Sequence, residues 1–142
     1  MKLAGLILLM AGLVIASDSF VGTWRANPAK TKGPDSKKLE TLSIDDMGPD
    51  QYRVTRTGAD GKNDTYGLTF DGKEHTGEAG SSALGVRVGK RQLRNTLKGP
   101  KGTLISEWIV SPDGKQLTNS RKGTGTATGR QIDEVLIYDK QP

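Results

Sequence analysis

The only histidine in the chain, His75, stands in the glycine-rich stretch KEHTGEAG, residues 73–80. A zinc site needs several His or Cys ligands, and the chain has no cysteine. That absence also excludes thiolate catalysis. A Ser–His–Asp triad would have to be built on this one imidazole, and no Gly-x-Ser-x-Gly elbow is present to hold a nucleophile. The setting points to a surface histidine. Neighbouring carboxylates occur at Asp45–Asp46 and at Asp133–Glu134. Adjacent residues of a strand point to opposite faces, so neither pair can work as a facing acid and base. GTGTATG, residues 123–129, approaches a dinucleotide fingerprint, but its third glycine falls one position late and no helical pattern follows. It reads as a hairpin loop. Asn63-Asp-Thr65 is a glycosylation acceptor sequence, which matters only on a eukaryotic secretory route. No catalytic residue, metal ligand or cofactor is assigned, and the chain is not expected to be an enzyme.

What recurs instead is a short alternating run followed by a turn. Leu42 and Ile44 alternate, as do Tyr52 and Val54, then Tyr66, Leu68 and Phe70. Leu84, Val86 and Val88 follow, then Leu93 and Leu97. TLISEWIVS places Leu104, Trp108 and Val110 on one face, and QIDEVLIYD places Ile132, Leu136 and Tyr138 on one face. Period two means a strand with one face buried. Asp-Gly-Lys occurs at 60–62, 71–73 and 113–115, a hairpin-turn signal each time. With the weakly apolar QLTNSRK at 116–122 and FVGTWR at 20–25, these patterns predict about nine consecutive antiparallel strands and no amphipathic helix. Asn27–Lys38 and Glu74–Ser82 are irregular and read as rim loops. An open sheet of this size leaves two unpaired edges, which closure removes. The expected fold is all-β, an up-and-down meander closed into a barrel of about 8–10 strands. A two-sheet sandwich is the alternative, although it requires a richer core.

Residues 1–16, MKLAGLILLMAGLVIA, carry one charge, Lys2, then an apolar run with Val14 and Ala16 ahead of a cut after Ala16. This is the pattern of a signal peptide. Leu3–Ala16 is 14 residues, short of the roughly 20 that a spanning helix needs. The mature chain, 17–142, is expected as one secreted or periplasmic domain of bacterial type, with no membrane span after cleavage. Its 126 residues hold 34 apolar ones and 17 glycines, a thin apolar inventory. Basic residues outnumber acidic ones 20 to 16. The densest basic cluster, RVGKRQLR at 87–94, contains no aromatic residue. Nucleic-acid binding would want stacking rings among the charges, so no nucleic-acid partner is expected.

The two ends carry a resemblance. FVGTWR is similar to the Gly-x-Trp opening of the calycin superfamily, and closely to the Phe-x-Gly-Thr-Trp-Lys of its intracellular fatty-acid-binding proteins. VLIYDK, 135–140, resembles the Tyr-Glu-Lys ending of that branch, and PDGKQL, 112–117, its penultimate hairpin. GTWRANPAKTK also resembles the opening of secreted bacterial lipocalin-like proteins. The resemblance implies a calycin-like barrel in which Gly22 and Trp24 form a structural barrel-end motif. It departs from the fatty-acid-binding branch in two places. The interval Asn27–Lys38 is too short for that branch's two lid helices. Its two lipid-binding arginines correspond to Ser106 and Leu136, leaving only Tyr138. The fold is thus expected to carry over without that head-group site.

The expectation for function is a non-enzymatic barrel that binds a small apolar or amphipathic molecule. Strand phase nominates Tyr52, Val54, Tyr66, Leu68, Phe70, Val86, Trp108 and Tyr138 as its lining. A barrel packed solid, meeting a protein, glycan or anionic surface through basic rim loops at 27–38 and 87–94, is the alternative.

Overall fold

The structure is a computed structural model, and it describes residues 18–33 and 39–142. The expected leader, 1–16, lies outside the described residues. Ten strands follow in order: β1 Gly22–Ala26, β2 Leu39–Asp46, β3 Gln51–Gly58, β4 Asn63–Thr69, β5 Asp71–Thr76, β6 Ser82–Gly89, β7 Gln92–Gly99, β8 Gly102–Val110, β9 Gln116–Thr124 and β10 Gln131–Lys140. A single 3₁₀ turn, Glu78–Gly80, links β5 to β6. All pairings are antiparallel, in the order β4-β3-β2-β1-β10-β9-β8-β7-β6-β5. The first and last strands zip together, Trp24 opposite Lys140 and Ala26 opposite Tyr138. The sheet curls into a nearly closed barrel whose seam lies between β4 and β5. The barrel form of the sequence expectation holds, not the sandwich.

The strand that alternation did not show is β5. All six of its residues, DGKEHT, are exposed, so no period-two signal exists to find. His75 therefore lies on a strand rather than in a loop. It remains half-exposed, with Nε2 2.8 Å from Asp71 Oδ2. The three Asp-Gly-Lys segments share one local device. In each, the Asp Oδ1 accepts the Lys backbone N–H at 3.0 Å, an Asx-turn. At 60–62 and 113–115 it joins paired strands. At 71–73 it lies within β5 at a register shift against β6, and the hairpin expected there is not formed because β4 and β5 do not pair.

One end of the barrel is packed shut. Phe20, Trp24, Tyr52, Phe70 and Trp108 are all buried there or beside it. Phe20 and Phe70 lie on either side of Tyr52, with ring centroids 6.1 and 6.0 Å away. The Trp24 indole N–H donates to the Phe20 carbonyl at 3.0 Å. The Lys140 ammonium sits 4.4 Å from the centre of the Trp24 ring and donates to the Val21 carbonyl. Gly22 makes room for that ammonium: a Cβ there would stand 2.6 Å from Lys140 Nζ, and its φ of +138° disfavours any other residue. The Gly-x-Trp opening is thus a strand that admits a lysine over its own tryptophan.

The seam is bridged by side chains at the same end. Arg87 of β6 reaches past β5 to donate to the Tyr52 hydroxyl and to Asp50 at 3.3 Å. The Tyr52 hydroxyl in turn donates to Asp18. Gly85 of β6 presses on the end of β4, where an added Cβ would stand 1.9 Å from the Thr69 carbonyl oxygen. Gly85→Ala should force β6 off β4 and lower stability by about 1–3 kcal/mol, the usual range for overpacking. A chemical melt of the variant beside the parent checks this.

Candidate functional site

The barrel interior divides into two halves. Around Phe20, Ile44, Val54, Phe70, Leu93 and Trp108 only about 10 Å³ is left, too little for a ligand. Toward the other end a cavity of about 190 Å³ opens, lined by Arg56, Tyr66, Leu68, Asn95, Leu97, Ser106, Trp108 and Arg121. A second hollow of about 350 Å³ shares Tyr66, Leu68, Asn95 and Leu97, and adds Thr69, His75 and Ala83. It lies at the seam, where β4 and β5 leave one another unpaired, so the cavity reaches solvent between these strands.

The register explains the lining. Arg56 follows Tyr52 and Val54 on the inward phase of β3. Arg121 follows Leu117 and Asn119 on that of β9. Ser106 stands between Asn95 and Arg121 across three strands. Glu134, opposite Arg121 on β10, is only 2% exposed, and its Oε2 lies 3.4 Å from Arg121 Nη1. The Arg56 guanidinium stacks 5.2 Å from the Tyr66 ring centre. Its Nε is buried with no hydrogen-bond partner, as is the Trp108 indole N–H. The Asn119 amide donates to Ser106 Oγ at 2.8 Å, and its own Oδ1 has no partner. Among the described residues, two arginines against one glutamate leave the cavity with one net positive charge. Buried donors without acceptors are costly. An acceptor-rich group bearing one negative charge would satisfy both conditions.

Burial pushes the phenols up. Tyr138 rises to about 12, against the opposing pull of Arg56 and Arg121. Tyr66 also rises by burial, with Arg56 opposing. Tyr52 rises to about 12 through burial and its bond to Asp18, with Arg87 opposing. Below pH 10 these phenols are neutral in folded and unfolded chains alike, and they favour the fold fully. Between pH 10 and 12 the unfolded chain ionises first, so that part of the stability is lost. Absorbance at tyrosinate wavelengths should stay low past the ordinary phenol range, then rise together with loss of the near-ultraviolet dichroism.

The residues nominated from sequence fall into four groups. Tyr66, Leu68 and Trp108 line the cavity. Tyr52, Val54 and Phe70 face inward but belong to the packed half. Tyr138 is buried in the core, beside Ala26 and Leu117. Val86 is a correction: it faces outward and is 39% exposed. On β6 the inward residues are Ala83, Gly85 and Arg87, because Gly85 must sit against Thr69. The most apolar face of that strand is therefore its outer one.

Sequence reasoning missed Arg56, Asn95, Leu97 and Arg121. Three of them continue runs whose phase was already visible: Arg56 after Tyr52 and Val54, Asn95 and Leu97 after Leu93. QLTNSRK has a single apolar residue, Leu117, and gave no phase from which to place Arg121. Ser106 and Leu136 are both buried in the interior and neither carries charge, but the interior is not without cations. Arg56 and Arg121 supply them from β3 and β9. Among the described residues no group of three His, Asp or Glu side chains is placed to hold a metal ion.

The ten-stranded barrel is the fold of the fatty-acid-binding proteins. A fatty-acid-binding protein of Schistosoma mansoni in complex with arachidonic acid superposes with a TM-score of 0.64 at 14% identity, over 87% of this chain and 97% of that one. Fatty-acid-binding protein 1 of Echinococcus granulosus gives 0.63 at 15%, over 87% and 98%. The REP1-NXSQ fatty acid transporter gives 0.62 at 13%, over 86% and 96%. No family model and no curated protein matches the chain by sequence.

Proposed function

We propose that the protein is a non-enzymatic carrier or receptor for one small amphipathic anion, an apolar body ending in a carboxylate or similar group. The body lies against Leu68, Leu97 and Trp108, and the charged end meets Arg56 and Arg121. The observation that carries this reading is the open half of the barrel, with its unsatisfied Arg56 Nε and one net positive charge. A barrel packed solid has no such space. The solved barrels of the same fold that bind or transport fatty acids support the same class of ligand. The apolar residues 1–16 support export to the periplasm or beyond, and intact mass of the protein recovered outside the cytoplasm would place the cut after Ala16.

Purified protein, stripped of bound lipid, is titrated with a fluorescent long-chain carboxylate and with the alcohol of equal chain length. Saturable binding of one carboxylate per chain is expected, with the alcohol at least about tenfold weaker, since a charge-assisted bond contributes about 1.5–3 kcal/mol. Binding of neither probe, with unchanged tryptophan fluorescence, would overturn the reading.

A further inference from the structure

The outer surface of β6–β8 combines two features that a solvated sheet face does not need. Val86, Val88, Ile105 and Ile109 are each 39–48% exposed, and Leu84 is half-buried beside them. The register places them together. Leu84 is opposite Thr96, which is opposite Ile105, and Gln92 is opposite Ile109. Around this aliphatic field stand Lys90, Arg91, Arg94 and Lys98, all exposed, with Lys122 of β9 opposite Ile105. Three acids border the field, and the five cations outnumber them. Glu107 is engaged by Arg94 at 3.3 Å and by Gln92 at 3.2 Å. Asp71, opposite Val86, is engaged by His75 at 2.8 Å, and Glu74 stands opposite Leu84. The outer surface of β1–β3 and β10 differs, since Arg25 there is opposite Asp139 and Arg53 opposite Asp45, while Asp133 of β10 stands opposite Lys122 at the border of the two surfaces. The basic charge is thus gathered on the same side as the exposed aliphatic residues.

At the β6–β7 turn, an open hollow of about 410 Å³ lies between Lys90, Arg91, Gln92 and Ile109. It sets two cations beside an exposed isoleucine. The Lys90 backbone accepts the Ser19 hydroxyl at 3.2 Å, and the Arg91 carbonyl accepts the Val110 N–H at 2.9 Å, so the turn is held in place.

We infer that this face docks on an anionic lipid bilayer, with Lys90 and Arg91 at the phosphates and Val86, Val88, Ile105 and Ile109 at the headgroup boundary. Charge complementarity selects the partner. A second copy of the same face would oppose cations to cations, which is unfavourable. The outside of a barrel is convex, and a deformable lipid surface can follow it where a rigid protein would need a matching groove. Each cation near an anionic leaflet contributes about 1 kcal/mol, and aliphatic burial adds to it. The inference does not depend on what the cavity binds.

The test is co-sedimentation of the full mature protein with vesicles of phosphatidylcholine mixed with phosphatidylglycerol, against phosphatidylcholine alone. Binding is expected only to the mixed vesicles, and it should vanish near ~1 M salt, where the screening length is about 3 Å. Lys90→Ala with Arg91→Ala should weaken it roughly 25-fold, about fivefold for each charge. Ile105→Thr with Ile109→Thr should weaken it several-fold while the dichroism spectrum is unchanged. Should that pair perturb the fold, Val86→Thr with Val88→Thr serves the same purpose. Lys30→Ala with Lys62→Ala, away from this face, should change nothing. Equal binding to both vesicle types, binding to neither, or loss in the distant pair alone would overturn the inference. So would salt-sensitive binding to a soluble polyanion such as heparin without binding to the vesicles.

Discussion

Arg56→Met is expected to weaken binding of a long-chain carboxylate about 10- to 100-fold and to leave the melting temperature level or higher. The two halves of this result have separate causes. The guanidinium is the less committed of the two cavity cations, because Arg121 already faces Glu134 at 3.4 Å. Its loss removes a charge-assisted bond of about 1.5–3 kcal/mol, and each 1.4 kcal/mol is a factor of ten. Stability moves the other way because Arg56 Nε is buried without a partner, and Met fills a similar volume beside Tyr66 and Leu68. A fluorescence titration and a thermal melt on the same sample decide it. Unchanged affinity would remove Arg56 from the site, and a collapsed melt would make it structural.

Trp24→Ala carries the largest expected loss of stability, about 3–5 kcal/mol. Trp24 is the largest of the fully buried side chains. Its removal empties the packed end and strips the Phe20 carbonyl of its donor. It also leaves Lys140 over a void where a ring had been. Domains are stable by only about 5–15 kcal/mol, so the loss is roughly a fifth of the total or more. For a chain of this length the midpoint should fall by about 10–20 °C. Trp24→Phe keeps most of the packing and should fall by less. Because Trp108 is then the one tryptophan left, its emission during the melt reports the cavity wall directly.

The two terminal strands of the barrel were legible because each is a short local pattern. FVGTWR and YDK name the strands that meet, and the register pairs Trp24 with Lys140. The middle strands were legible through alternation alone, and that fails where a strand has no buried face, as in β5, or where the apolar face is the outer one, as in β6. In β6 the inward positions are small or charged because Gly85 touches another backbone and Arg87 spans the seam. No count of hydrophobic residues can reveal such an inversion. Apart from Arg121, the site was legible in phase but not in kind. Arginine is ordinarily a surface residue, so Arg56 and Arg121 read as solvated charges although they continue inward runs. Only the closed barrel shows that the two converge from β3 and β9 on one space.

The seam has a consequence for how this protein behaves at high concentration. Two strand borders in the described barrel keep spare backbone donors and acceptors, one on β4 and one on β5. Such borders are templates onto which a foreign chain can add itself. Here the template is written in Asn63, Asp64 and Thr65 on one side and Asp71, Lys73, Glu74 and His75 on the other, all exposed. An incoming strand would have to bury those charges to pair. The same polarity that hid β5 from the alternation pattern therefore guards the folded molecule against fibrillar growth.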